Sequence, residues 1–119
     1  LVGSEMCIRD RVYTGGLGSY SVTLMVLSFL QLHPKLQRGE MSADKNLGTL
    51  LMEFLELYGK NYGYDECAIS VRGRGKYLSK RQKGMYDYRK PFMLSIEDPH
   101  DPSTCLLFLH NLHFFFLFL

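Results

Sequence analysis

At 119 residues the chain makes at most one small domain. Hydrophobic residues at 46% against 22% charged exclude a disordered polyelectrolyte, and three cysteines without paired spacing give neither a zinc nor a disulfide framework. Net charge is only +2, and no apolar run reaches the ~20 residues that span a bilayer, so no membrane partner is expected.

Leu1 to Arg11 reads LVGSEMCIRDR, with no sustained period. It looks like translated adaptor sequence and is set apart from fold reasoning; a genuine loop or short strand is the alternative. Gly15, Gly16 and Gly18 then precede Ser19-Tyr20-Ser21 and an almost wholly apolar run to Gln31. Glycines permit a tight turn and a close backbone approach. A serine can cap a helix, and the apolar run predicts a core helix from about Ser19 to His33. Its inward face is expected at Val22, Met25, Val26, Phe29 and Leu30. The N-terminus of such a helix, with unpaired N–H groups and the positive dipole end, suits phosphate. The glycines lack a Walker ending and no strand leads into them, so a plain turn into a buried helix stands beside the phosphate reading. Pro34 ends the helix and makes His33 a helix-end residue rather than a ligand.

Lys35 to Lys45 reads as an exposed loop with Asp44 as a helix cap. A second helix is predicted over Asn46–Gly59, with Leu47, Leu50, Leu51, Phe54 and Tyr58 inward, and Glu53 and Glu56 on a solvated face. Gly59 suits a left-handed C-terminal turn. Cys67 to Val71 reads as a strand, Gly73-Arg74-Gly75 as a turn, and Lys76-Tyr77-Leu78 as the returning partner. Lys80 to Met85 reads as a short helix, and Met93 to Ile96 as a further strand that stops before Asp98-Pro99.

Between Val71 and Lys90 eight basic residues face one acid, Asp87, for a local charge of +7 interleaved with Tyr77, Tyr86 and Tyr88. Arg72, Arg74, Lys76, Lys80 and Arg81 are the candidate RNA contacts, since phosphate neutralisation and base stacking both fit that composition. A solvated basic surface is the alternative. Cys105 to Leu119 has neither helix nor strand periodicity and is rich in Phe and Leu. It is read as a non-native read-through tail, against a membrane-seeking tail.

Three segments occur in a fixed order: TGGLGSYSVTLMVLSFLQ at 14–31, NLGTLLMEFLELYG at 46–59 and RKPFMLSIEDP at 89–99. Together they resemble the Trf-type poly(A) RNA polymerases, terminal nucleotidyltransferases of the DNA polymerase β-like superfamily. The resemblance covers about Val12 to Ser103. It implies a mostly α fold with a small β element (α+β), the helical central lobe of a two-lobed enzyme. Residues 12–104 would be a partial central domain, with the PAP-associated region at about 46–104. The catalytic lobe, its metal-binding aspartates and its phosphate-holding lysines would lie before this chain, so no catalytic or metal-ligand role falls on its residues.

The resemblance further implies that Ser19 contacts the triphosphate, Tyr20 stacks on the base, and Asp98 opens a base-recognition loop that includes Asp101. Gly15, Gly16 and Gly18 would form the phosphate loop. Thr104-Cys105-Leu106-Leu107 departs from the family pattern, which leaves base selection open. ATP is the implied substrate, Mg²⁺ or Mn²⁺ the metal of the parent enzyme, and an RNA 3′ end the acceptor. A nuclear setting with exosome and helicase surveillance partners is implied as well. The alternatives are a non-catalytic RNA-binding or scaffold module using residues 72–90, and a uridylyl-adding relative.

Overall fold

A computed structural model describes residues 19–89, 91–101 and 103, together with the backbone of Cys105–Phe108. The expectations for residues 1–18 and 109–119, including Gly15, Gly16 and Gly18, lie outside the described residues. The fold is α+β, as expected. Its elements run α1 (Ser19–Leu32), α2 (Pro34–Gln37), α3 (Leu47–Glu56), a π-helical turn (Leu57–Asn61), β1 (Cys67–Ser70), β2 (Lys76–Ser79), β3 (Leu94–Glu97) and β4 (Cys105–Phe108).

The inward face of α1 is Ser21, Leu24, Met25, Ser28 and Phe29. Val22 and Val26, expected inward, are each 38% exposed, and Leu27 is 42% exposed. The stripe is rotated because the small Ser21 and Ser28 let other elements approach closely: Tyr58, wholly buried, donates its hydroxyl to the Met25 carbonyl at 3.2 Å. A helix apolar on all sides carries no signal of which side a neighbour takes.

Pro34 does end α1, but it also starts α2, where the missing N–H costs nothing. His33 is extended, and its Nδ1 accepts from the Leu36 N–H at 3.4 Å, capping α2. Its Nε2–H donates to Glu53 Oε2 at 2.5 Å, so Glu53 is tied to the end of α1 rather than standing on a solvated face. Residues 34–37 are therefore helical, not loop.

In α3, Leu50 and Phe54 are buried, while Leu47 and Leu51 are 67% and 58% exposed, against expectation. Leu50, Phe54 and Tyr58 are spaced by four, which drifts about 40° per step on a 3.6-residue helix. The wider π-helical turn takes up that drift, closing with Tyr62 N–H on the Leu57 carbonyl at 2.7 Å. Gly59 lies within this turn and is not left-handed. Asn46, not Asp44, is the N-cap of α3; the Asp44 carboxylate instead accepts from the Ser42 hydroxyl.

An aromatic chain runs through the core. The His33 ring meets Phe29 edge-on at 5.5 Å, Phe29 meets Phe54 at 5.7 Å, Phe54 meets Tyr58 at 4.9 Å, and Tyr58 meets Tyr62 at 5.4 Å. Tyr62 then touches Tyr64 at 4.7 Å and Tyr77 at 5.7 Å. Edge-to-face pairs of this kind add about 0.5–1.5 kcal/mol each beyond area burial. The Tyr62 hydroxyl donates to the Cys67 carbonyl at 3.0 Å and the Tyr64 hydroxyl to the Tyr58 carbonyl at 2.5 Å. Burial pushes the pKa values of Tyr58, Tyr62 and Tyr64 well above the usual phenol range.

The sheet order is β2-β1-β3-β4. β1 and β2 form the expected antiparallel hairpin, with Ser70 opposite Lys76. β1 and β3 are parallel, with Ile69 opposite Ile96. β4 pairs antiparallel to β3, so Cys105–Phe108, expected to have no regular structure, continue the sheet. Ile69, Val71, Leu94 and Ile96 pack against the helices, and Ala68, Leu78, Met85 and Met93 form a second cluster. That alternation is the period-two pattern of a sheet covered on both faces. Residues 80–85 make a hydrogen-bonded turn through the left-handed Gly84, φ 70°, not the short helix expected there.

The Gln31 amide, in the last turn of α1, donates to the Val71 carbonyl at 3.1 Å and the Gly73 carbonyl at 3.3 Å. It thereby fixes the hairpin loop to the helix. A Cβ on Gly75 would come 2.4 Å from Gln31 Oε1, and Gly75 sits at φ +77°. Gly75→Ala is expected to destabilise by about 1–3 kcal/mol, from left-handed strain plus the displaced amide. A shift of the urea midpoint at constant m is the measurement, and an unchanged midpoint contradicts the clamp.

Candidate nucleotide and RNA site

Ser19 and Tyr20 lie in the first turn of α1 and both are exposed; Tyr20 is 43% exposed. The Thr23 hydroxyl donates to the Ser19 carbonyl at 2.8 Å, tightening that turn. The Tyr20 phenol is pushed upward, first by desolvation and then by the Asp98 carboxylate. Asp98 therefore stands within electrostatic reach of Tyr20, although the two come from opposite ends of the chain. The parallel placement of β3 beside β1, under α1, delivers Asp98 there, directly after Glu97 at the end of β3.

The loop after β3 is shaped by its own aspartates. Asp98 Oδ1 accepts from the His100 N–H at 2.9 Å. Asp101 Oδ1 accepts from the Ser103 N–H at 3.1 Å and the Ser103 hydroxyl at 2.6 Å. Two successive Asx turns thus shape the segment that follows β3. Tyr20 offers an aromatic face and Ser19 a hydroxyl at the positive end of a helix dipole, so the arrangement suits a base and a phosphate.

The basic residues divide. Arg72, Arg74, Lys76 and Arg81 are exposed on the β1–β2 hairpin and just after it. Lys80 is not with them. It is 1% exposed, and its ammonium donates to the Pro91 carbonyl at 3.2 Å and the Met93 carbonyl at 2.5 Å. It staples the turn after β2 to the start of β3, away from any phosphate path. The hairpin sits at the far end of α1 from Tyr20, roughly 16 Å along the helix from Tyr20 to Gln31 at 1.5 Å per residue. Gln31, which makes that connection, was legible only as a polar residue in an apolar run.

Burial pulls the Lys80 pKa down from 10.5 to about 8, with Asp65 and Cys67 opposing the shift. Between those values the unfolded chain holds a proton that the folded chain has released, so stability rises with pH across that window. The cost of burying the charge is carried in full below about pH 8. Above about pH 10 the buried tyrosines act in the opposite sense, because only the unfolded chain ionises them. Lys80→Met is expected to abolish the alkaline rise in the denaturation midpoint. A rise that persists in the variant assigns it to another group.

Comparisons with known proteins agree on one kind of relative. A family profile described as Cid1 family poly A polymerase matches residues 46–104. Poly(A) RNA polymerase CID14 of Cryptococcus neoformans is 58% identical over 95 residues, covering 80% of this chain and 12% of that protein. Poly(A) RNA polymerase cid14 of Schizosaccharomyces pombe is 49% identical over 97 residues, covering 82% of this chain and 14% of that protein. The chain thus spans about an eighth of the length of these curated relatives. A solved structure of the polymerase core of TRAMP, an RNA surveillance complex, matches with a TM-score of 0.66 at 37% identity, covering 85% of this chain and 33% of that one.

Proposed function

Because this chain belongs to the Cid1 family of poly(A) polymerases, we propose that it positions ATP and an RNA 3′ end in an enzyme that adds AMP to RNA. The observation that carries the reading is the nearness of Asp98, just after β3, to Tyr20, at the start of α1, where its charge acts on the phenol. In this reading the Tyr20 ring stacks on adenine, and Asp98 and Asp101 shape the loop beside the base. The Ser19 hydroxyl meets the triphosphate, with Gly15, Gly16 and Gly18 preceding it as the phosphate loop. Arg72, Arg74, Lys76 and Arg81 supply positive charge for the RNA backbone.

Transfer of this kind uses a divalent metal, Mg²⁺ or Mn²⁺, at family level. The described residues do not fit one: no group of three or more His, Cys, Asp or Glu among them could hold a metal ion. The contribution of this chain is therefore positioning, which lowers a barrier by holding reactants in register. A setting in RNA surveillance is supported by the likeness to the TRAMP polymerase core; a nuclear location and exosome and helicase partners belong to the same proposal.

The test is nucleotide incorporation by the intact protein on a single-stranded RNA, with each of the four nucleoside triphosphates offered separately. AMP addition is expected to dominate. Equal or faster UMP addition identifies a uridylyl-adding enzyme, and no incorporation beside intact RNA binding identifies a scaffold module.

A further inference from the structure

The three tyrosines of the basic stretch do not share one role. Tyr77 leans on Tyr62 and ends the internal aromatic chain. Tyr86 and Tyr88 instead form a separate cluster after β2. Their rings meet edge-on at 5.0 Å, and the Arg81 guanidinium lies 4.1 Å from the Tyr86 centroid and 5.9 Å from that of Tyr88. Tyr88 is 81% exposed, so the outer face of the cluster is open.

The cluster is also held in place. Asp87, between the two tyrosines, is buried and accepts the Arg89 N–H at 2.9 Å, and Arg89 Nε lies 3.7 Å from the same carboxylate oxygen. The turn therefore points Asp87 inward and Tyr88 outward by construction. Arg81 makes no ion pair among the described residues. It also lines a shallow groove of about 410 Å³ along the edge strand β2, with Glu66, Cys67, Tyr77, Leu78 and Ser79. Glu66 is the one acid of that lining, and Lys76, at the other end of β2, adds positive charge to the edge. Lys83 and Arg89 flank the tyrosines and are exposed.

A solvent-facing aromatic ring, steadied by a guanidinium and set in a basic stretch of the chain, suits a base with a phosphate on either side. A protein surface would ask for a broader apolar patch. We propose that Tyr88, backed by Tyr86 and Arg81, is a stacking platform for one unpaired base of single-stranded RNA whose phosphates follow the basic β2 edge. This rests on the reading of the protein as an RNA-tailing enzyme, and it adds a contact remote from the reacting end. Stacking on an aromatic ring tolerates any base, so the platform grips RNA without selecting sequence.

The experiment compares binding of a single-stranded oligoadenylate and an abasic ribose-phosphate oligomer of equal length by the intact protein. Tyr88→Ala is expected to weaken oligoadenylate about five- to tenfold and to leave the abasic oligomer unchanged, while Tyr88→Phe keeps wild-type affinity. Arg81→Gln is expected to lower the salt slope by about one phosphate contact. Equal losses on both oligomers, no loss on either, or equal competition by polyglutamate each overturns the proposal. If Tyr20→Ala slows AMP addition while Tyr88→Ala binds RNA normally, the platform fails and the tailing enzyme stands. Base-dependent binding at Tyr88 without any nucleotide addition sinks the tailing enzyme and keeps the platform.

Discussion

On the proposed reading, replacing Tyr20 by alanine is expected to lower kcat/KM for AMP addition by about five- to 150-fold, the equivalent of the ~1–3 kcal/mol that one base–aromatic stack supplies. The side chain is exposed in the first turn of α1, so its removal leaves the core untouched and the melting temperature within a degree or two of wild type. Tyr20→Phe keeps the ring and is expected to retain most of the activity, since the phenol beside Asp98 stays protonated at neutral pH. Asp98→Asn removes the neighbouring charge and tests the same corner from the other side. An unimpaired Tyr20→Ala enzyme, assayed below saturating ATP, would remove the nucleotide from this end of the helix.

Phe54→Ala has the largest structural consequence. Its ring stands between Phe29 and Tyr58, edge-on to the first at 5.7 Å and tilted to the second at 4.9 Å, and the residue is 8% exposed. Truncation leaves a cavity that α1 and the π-helical turn cannot both close, which costs about 3–5 kcal/mol. That is a large share of the ~5–15 kcal/mol that holds a typical domain together. Thermal melting should fall by about 4–8 °C per kcal/mol in a domain of this size. Leu51→Ala, at a position 58% exposed one helical turn earlier, is the matched control and should change stability by less than about 0.5 kcal/mol. Comparable losses from the two would mean that the exposed side of α3 is covered by something the fold described here does not include.

The hairpin was readable because alternating residues and a Gly-Arg-Gly turn state a local geometry, and local geometry needs no partner. The nearness of Asp98 to Tyr20 was reachable only through the ordered family segments, since no periodicity links positions so far apart. Three features stayed hidden for one reason: they depend on what a residue meets after folding. α1 is apolar all round, so its buried side was set by Tyr58 reaching the Met25 carbonyl. Among the described lysines and arginines only Lys80 turns inward, because the carbonyls of Pro91 and Met93 arrive there from a distant segment. The π-helical turn answers a drift between four-residue spacing and helical pitch that the stripe of Leu50, Phe54 and Tyr58 carries silently.

The Gln31 clamp has a metrical consequence. By locking the loop that carries Arg72 and Arg74 to one end of a rigid rod, it sets a constant gap to Tyr20 at the other end. Roughly 16 Å corresponds to about five stacked nucleotides at 3.4 Å each. On the proposed reading, a dangling strand shorter than this reaches one terminus of the rod and misses the other. The helix then works as a gauge of overhang length, set by how many residues lie between a tyrosine and a glutamine.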